Sequence, residues 1–332
     1  MTAYGFPTIL QYSRLNSAIT DLKSQSEEAR VEIVTGQKAN LKNALAGDIG
    51  DAQLLRKAIN DIAVYQLSAN RALGRATFAQ AALEDAATDA TALGADLSSA
   101  LGFEDEARIA QAGAQAAQDL RGAFASFNQR YEGRALFGGD AVDQTPLADA
   151  DNLLNDIRTL YAASPDIIAF DAALDSYFND PAGGFMTNIY QGGDGDAPRA
   201  EVSEGEIVAY SAKVDEAPIR SLLRNLAVAA VAAESPTAPL REAALNESAN
   251  GLLAAETDLV SIRARIGVAE STIKNSLDRL NAEETALSAS YNEMIGVDQF
   301  EVASRLQQLE TQLQTSFILT ARISQLSLAN FI

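Results

Sequence analysis

The sequence contains no cysteine, no histidine and no tryptophan. Without cysteine and histidine the chain has no thiol nucleophile, no disulfide, no thiolate or imidazole metal ligand and no imidazole acid–base catalyst. Most common enzyme mechanisms therefore lose a principal group, and we expect neither a cofactor nor a bound metal. The absence of cysteine leaves the redox compartment open, because such a chain tolerates both oxidising and reducing surroundings.

Basic residues and long apolar runs are also scarce. The chain has 25 basic against 45 acidic residues, a formal net charge of -20, and no run of lysine or arginine that could form a phosphate-binding face. We therefore expect no nucleic-acid partner. No apolar stretch reaches the about 18 residues of a membrane span, and the first residues lack the basic and apolar regions of a cleaved signal peptide. We expect no membrane insertion and no Sec-type signal.

Helical periodicity marks both ends of the chain, which is 47% hydrophobic over 332 residues and long enough to bury a large core. Near the N-terminus, alternating steps of three and four predict a helix over residues 7–33 that ends near Gly36. Its apolar seam comprises Tyr12, Leu15, Ile19, Leu22, Ala29 and Ile33. A C-terminal seam comprises Val302, Leu306, Leu309, Leu313, Phe317, Ile323, Leu326 and Leu328. We expect the two seams to bury each other or a neighbouring molecule.

Further helices are predicted inside these ends. Residues 50–102 fit one long helix or two stacked helices, and residues 105–129 fit a helix whose many alanines allow close neighbours. A strict seven-residue apolar repeat then predicts a long supercoiled helix, the core of a helical rod. Its members are Leu259, Ile266, Ile273, Leu280, Leu287 and Met294. The second core position of each seven-residue repeat becomes polar at Ser276 and Glu283. This favours a multi-helix bundle over a plain dimer.

The middle of the chain has a different composition, with most of the prolines and many of the glycines and aromatic residues. A strand over residues 206–212, a turn over 191–196 and a helix over 219–233 predict a small mixed α/β domain. The predicted fold is mainly α, a long antiparallel helical rod with coiled-coil-like terminal helices and this inserted domain. The predicted domains are a terminal coiled coil (1–40 and 295–332), a helical rod (41–133 and 241–294) and the middle domain (134–240).

Several segments, taken together, resemble one known family. The helix over residues 15–34 closes at Gly36 and is followed by a charged loop over 38–48, and residues 265–267 are expected to open the return helix. Matching C-terminal segments lie at residues 298–303, 309–317 and 323–332. This arrangement resembles the flagellin superfamily of bacterial flagellar axial proteins over roughly half of the chain.

Within that superfamily, the motif around Phe137, Gly138 and Gly139 is similar to the one by which hook–filament junction proteins, the third hook-associated proteins, lead into their middle domain. Residues 190–194 and 215–227 are two further matches. The aromatic start of the chain departs from the polar, asparagine-rich start common in flagellins, and so favours the junction proteins.

The resemblance implies a structural component of the bacterial flagellum, an adaptor that connects hook to filament by polymerisation of its helical ends. It implies an extracellular protein exported by the flagellar type III system without a cleaved signal peptide. The implied partners are further copies in a ring or helical layer, a neighbouring hook-associated protein, flagellin and an export chaperone. The alternative within the family is a flagellin, the filament subunit itself.

Catalytic and ligand-binding interpretations of the sequence have less support than a structural role. Paired carboxylates in the middle domain could serve a hydrolase acting on a sugar or peptide. Of the three pairs in the chain, the first two lie on predicted helix faces, where charge is normally solvated. The pairs are Glu27/Glu28, Glu283/Glu284 and Asp149/Asp151. The glycine–aspartate turn after Gln191 occurs only once, unlike repeated calcium loops, and no Lys-Ser/Thr follows Gly139 to complete a phosphate-binding loop. We expect no enzyme.

Overall fold

The computed structural model describes residues 6–45, 47–235 and 239–329, with side chains over 13–45, 47–235 and 239–322. The chain is mainly α-helical, as predicted. Its residues group into two compact units, Met1–Ala63 with Asn281–Ile332, and Val64–Leu280. The finer division into terminal, rod and middle domains stays a prediction. No helix within the described ranges is long and apolar enough to cross a membrane.

The long helices lie where the sequence predicts them. In chain order the helices are α1 (Phe6–Thr35), α2 (Leu41–Leu45), α3 (Ile49–Gly102), α4 (Glu106–Phe127), α5 (Ala150–Ala163), α6 (Ile167–Asn179), α7 (Ala217–Ala233), α8 (Arg241–Ile295) and α9 (Gln299–Ala329). Of these, α2, α5 and α6 were not predicted. A five-residue π-helical turn lies at Phe185–Ile189. Helix α1 stops at Gly36, whose φ of +68° is the left-handed conformation that ends helices.

The structure shows where two of the long helices begin and end. Residues 50–102 form one helix, α3, and not two stacked ones. The expectation that residues 265–267 open the return helix is wrong, because α8 begins at Arg241 and Gly267 lies in its interior. An interior glycine costs about 1 kcal/mol relative to alanine, an amount that the buried residues on either side, Ile266 and Ala269, offset.

The strands are few and short. β1 (Arg130–Tyr131) pairs with β2 (Arg134–Ala135), and β3 (Arg199–Ser203) pairs with β4 (Glu206–Ala209), both antiparallel. The β3–β4 register joins Arg199 to Ala209 and is irregular between Glu201 and Ser203. β4 lies within the predicted strand, whereas β3 and the β1–β2 hairpin were not predicted. The predicted helix at 219–233 is the main part of α7.

The core of the second unit depends on close helix packing. Helices α3, α4, α7 and α8 contribute many buried alanines to it, among them Ala76, Ala116 and Ala230. A β-carbon added to Gly113 would lie 2.2 Å from the β-carbon of Ala233, and one added to Gly94 would lie 2.9 Å from the backbone nitrogen of Leu253. Small residues therefore let these helices approach almost to backbone contact, as the composition of α4 indicated.

Candidate assembly interface

The heptad residues of α8 divide between the two units. Leu259, Ile266, Ile273 and Leu280 are buried in the second unit. Leu287 and Met294 fall in the first unit and are half-buried. There Met294 packs against a small cluster formed by Leu45, Ala52 and Ile295. Ser276, at the second core position of the repeat, is also buried, where it donates a hydrogen bond to Glu206 at 2.7 Å.

The two predicted terminal seams meet within the first unit, where α1 packs against α9. Ala29, Val302 and Leu309 are buried there. Leu22, Ile33 and Leu306 pack against them, and Leu15, Ile19 and Leu313 are half-buried. The side chains of Tyr12, Ile323, Leu326 and Leu328 lie outside the described residues. Burial of apolar surface at about 25 cal/mol per Å² stabilises this pairing.

Polar contacts set the register of the pairing. Arg30 forms an ion pair with Glu310 at 2.9 Å, and Arg305 forms one with the buried Glu32. Glu32 also accepts a hydrogen bond from the backbone N–H of Ala39 at 3.1 Å. At the end of α8, the Lys38 ammonium donates to the carbonyl of Met294 at 2.7 Å. These contacts join the loop after α1 to the junction between α8 and α9.

The C-terminal seam departs from its predicted course beyond Leu313. Ser316 and Thr320 continue the half-buried side of α9, whereas Phe317 is 56% exposed. Phe317, Ile318 and Leu319 thus form a run of three consecutive apolar residues that are each about half exposed, which we term the α9 apolar run. Phe300 is 83% exposed at the other end of the same helix. Periodicity alone could not show which apolar residues α1 would cover.

The motif Phe137-Gly138-Gly139 lies in the second unit, with Phe137 buried edge-on against the ring of Phe127 at 5.2 Å. The motif continues into Asp140, which contacts the glycine-rich loop that follows Tyr190. The N–H of Gly193 donates to the carbonyl of Gly138 at 2.9 Å, and the N–H of Gly195 donates to Asp140 Oδ1 at 3.1 Å. Two motifs that lie about 50 residues apart in the chain therefore form one contact.

Glycines make this contact possible. Gly139 has a φ of +63°, which favours glycine. A β-carbon on Gly193 would lie 1.7 Å from Asp140 Oδ1, so no larger residue fits there without movement. Tyr190 donates its hydroxyl to the carbonyl of Gly193 at 2.8 Å. Burial, and then the charges of Asp215, Asp194 and Asp140, raise the pKa of this hydroxyl, so that it remains a donor.

The carboxylate pairs considered for catalysis have structural surroundings. Asp149 caps α5 by accepting from the N–H of Asp151 at 2.9 Å, and Asp151 pairs with Arg121 at 2.7 Å. Glu27, Glu28 and Glu283 are exposed on helices. Among the described residues, no group of three or more acidic side chains is arranged to hold a metal ion.

The comparisons with known proteins agree with this arrangement of helices. Residues 251–332, which include most of α8 and all of α9, match the family model described as the bacterial flagellin C-terminal helical region. The C-terminal part of the chain is therefore similar to a flagellin helical region. No curated protein matches the sequence.

Two solved structures share the fold of this chain. One is a protein of Vibrio parahaemolyticus described as a flagellar hook-associated protein, with a TM-score of 0.55, 12% identity, and coverage of 76% of this chain and 100% of that one. The other is FlgL of Bacillus cereus, with a TM-score of 0.52, 15% identity, and coverage of 73% of this chain and 99% of that one. At these identities the likeness is one of fold.

Proposed function

We propose that this chain is a structural component of the bacterial flagellum, a junction protein that connects hook to filament by assembly of its helical ends. The single observation that carries the proposal is that its flagellin helical region ends in α9, a helix that packs on α1 but leaves the α9 apolar run exposed. The shared fold of a hook-associated protein supports the junction role. The protein would act by polymer mechanics and not by catalysis.

The geometry of a helix explains why the α9 apolar run requires a further neighbour. Consecutive residues of an α-helix lie about 100° apart around the axis, so three of them span about 200°. One packed partner helix covers a narrower stripe than that. Because Ser316 and Thr320 lie on the half-buried side of α9, Phe317, Ile318 and Leu319 remain open to helices from outside the chain. Assembly would supply those helices.

The assembly partners and the export route of the chain follow from the same proposal. The chain would contact further copies of itself in a ring or helical layer, a neighbouring hook-associated protein on the hook side and flagellin on the filament side. It would leave the cell unfolded through the flagellar type III system, with an export chaperone. A sequence without cysteine suits that passage, because no thiol can cross-link the unfolded chain.

A flagellin, the filament subunit, is the second candidate. The observation in its favour is that the matching family model is that of flagellins. The two candidates differ in extent of assembly, since a flagellin polymerises with itself without limit whereas a junction protein forms a layer of limited length.

The test places a charge in the α9 apolar run. Ile318→Asp should leave the monomer as stable as the parent, because Ile318 is already 51% exposed there. It should prevent addition of the protein to sheared hook–filament material, since a carboxylate buried without a partner costs several kcal/mol. Asn275→Asp, at an exposed position on α8 in the second unit, is the matched control. Undiminished incorporation of Ile318→Asp, measured by sedimentation and electron microscopy, would contradict the proposed role of this surface.

A further inference from the structure

The second unit contains a groove with an unusual concentration of arginines for a chain of net charge -20. The groove, which we term the arginine groove, has a volume of ≈ 840 Å³ and lies between the first turns of α3 in this unit, the β1–β2 hairpin and strand β3. Its arginines are Arg71, Arg75, Arg134 and Arg199.

The acidic residues of the groove already have partners. Asp140 accepts from the N–H of Gly195 at 3.1 Å, and Glu201 accepts from the N–H of Gly205 at 3.1 Å. Asp196 is paired with Arg199 at 2.7 Å.

One of the arginines has no such partner. Arg71 and Arg75 lie 3.3 and 3.9 Å from Glu132. Arg134 is exposed and, within the part of the chain that the structure describes, forms no ion pair. The groove therefore offers one uncommitted guanidinium, which can bind a carboxylate through two parallel hydrogen bonds.

The groove also has an apolar wall. Val64 and Leu67, on the same side of α3 as Arg71, are 65% and 52% exposed. Exposed apolar residues beside an unpaired guanidinium suit a ligand that presents an apolar group next to a carboxylate.

The same chain carries such a group at the turn between α3 and α4, residues 102–105, which we term the aromatic turn. Phe103 is 78% exposed. Glu104 has a φ of +51°, a left-handed conformation that is strained for a residue other than glycine. Its carboxylate is exposed and forms no ion pair with any described residue. The turn thus holds an aromatic ring and a free carboxylate side by side.

We propose that the aromatic turn of one copy docks in the arginine groove of a second copy, with Phe103 against Val64 and Leu67 and Glu104 paired with Arg134. The contact cannot form within one copy, because the 36 residues of α3 from Leu67 to Gly102 extend about 50 Å at 1.5 Å per residue. It is a head-to-tail contact that joins different surfaces of the two copies, and can therefore propagate along a layer. The inference rests on the proposed function in taking copies to be neighbours in an assembly.

A charge exchange tests the pairing. Arg134→Glu and Glu104→Arg should each weaken association between copies about tenfold or more, because each places like charges together. The double variant Glu104→Arg/Arg134→Glu should restore it. Lys274→Glu and Glu256→Arg, exposed positions on α8, are the matched controls. Single variants that associate like their controls, or a double variant that stays as weak as the singles, would overturn the pairing.

Disulfide cross-linking tests the contact independently of flagellar material, because the chain has no native cysteine. In concentrated protein, Phe103→Cys/Leu67→Cys should form covalent dimers and longer ladders on oxidation, whereas Phe103→Cys/Val268→Cys, with an exposed partner on α8 outside the groove, should not. Equal yields from both pairs, or no ladder from the first, would overturn the inference. A ladder without addition to hook–filament material would instead contradict the junction role alone.

Discussion

At the scale of single residues, Gly193 decides how the two middle-domain motifs meet. It lies against Asp140, whose carboxylate also accepts from the N–H of Gly195 at 3.1 Å. In the sequence, Gly139 and the turn after Gln191 are separate features, because a contact between residues so far apart in the chain has no signature in local composition. The residue types therefore mark these positions in the sequence, but they do not show which residues contact each other.

Gly193→Ala should destabilise the second unit by about 1–3 kcal/mol, since its β-carbon would lie 1.7 Å from Asp140 Oδ1 and 2.9 Å from the backbone nitrogen of Ala141, and would displace the Asp140 carboxylate from its contact with this loop. Gly122→Ala is the control. Gly122 lies within α4 with nothing within 4 Å of an added β-carbon, so the change should stabilise by about 0.5–1 kcal/mol. Denaturant unfolding measures both, and equal effects of the two substitutions would refute the steric account.

The surroundings of Glu206 predict how the stability of the fold depends on pH. Hydrogen bonds donated by Ser276 and Ser203, with the Arg279 guanidinium, lower the pKa of Glu206. A lowered pKa in the folded state means that the carboxylate stabilises the fold above its unfolded pKa of about 4.3 and loses this contribution as pH falls. Glu206→Gln should therefore reduce stability at pH 7 and make little difference near pH 3, as measured by unfolding across that range.

Glu247 should show the opposite sign. Burial raises the pKa of its carboxyl, and the neighbouring Asp171 raises it further. A raised pKa in the folded state means that the ionised carboxylate is less favourable in the folded chain than in the unfolded chain. The free energy of unfolding therefore falls as pH rises above the unfolded pKa of about 4.3. Glu247→Gln should gain stability relative to the parent as pH increases from 4 to 7. A relative loss over that interval would contradict the assignment.

At the scale of helices and strands, what the sequence could predict follows from local periodicity. The seven-residue repeat predicted α8 because Leu259, Ile266 and Ile273 all face one core. The start of α8 at Arg241 was harder to predict from the sequence. Gly267 resembles a helix boundary, although tertiary packing holds it inside the helix. Strand β3 was missed because Arg199–Ser203 has no strong apolar alternation and is held by pairing with β4.

The seam between α1 and α9 shows the limit of the same reasoning. Spacing placed Leu306 and Leu309 on the packed side, but could not show that the side continues through Ser316 and leaves Phe317 exposed. Helix repeats of 3.6 residues drift against a seven-residue pattern, so the face turns gradually along a straight helix. The exposed run is therefore a property of the folded pair and not of the pattern.

Leu306→Asp should loosen the α1–α9 pairing by about 1–3 kcal/mol, because Leu306 packs against Ala29, Val302 and Leu309 and a carboxylate there would lose that apolar contact. Leu313→Asp, at a half-buried position, should have the same direction. Hydrogen exchange of α1 and α9 should accelerate while α4 and α7 in the second unit stay protected. Gln308→Asp, an exposed neighbour, is the control, and equal exchange in both variants would argue against the seam.

At the scale of the whole molecule, the two units suit different tasks. The second unit holds the large core, with the buried residues of α3, α4, α7 and α8. Among its described residues, the first unit has two small clusters and keeps Val34 and Phe300 more than four-fifths exposed. A unit with small clusters and exposed apolar residues gains most from burial against neighbours, which is the property that the proposed junction function requires.

The measurement that tests this account most directly is addition of the purified protein to sheared hook–filament material, followed by electron microscopy. The full chain is compared with a variant lacking residues 1–30 and 303–332, whose second unit is first checked for cooperative unfolding. The account predicts short layers of limited length at the ends of the material from the full chain and none from the truncated one. Equal addition by both forms, or long filaments from the protein alone, would contradict it.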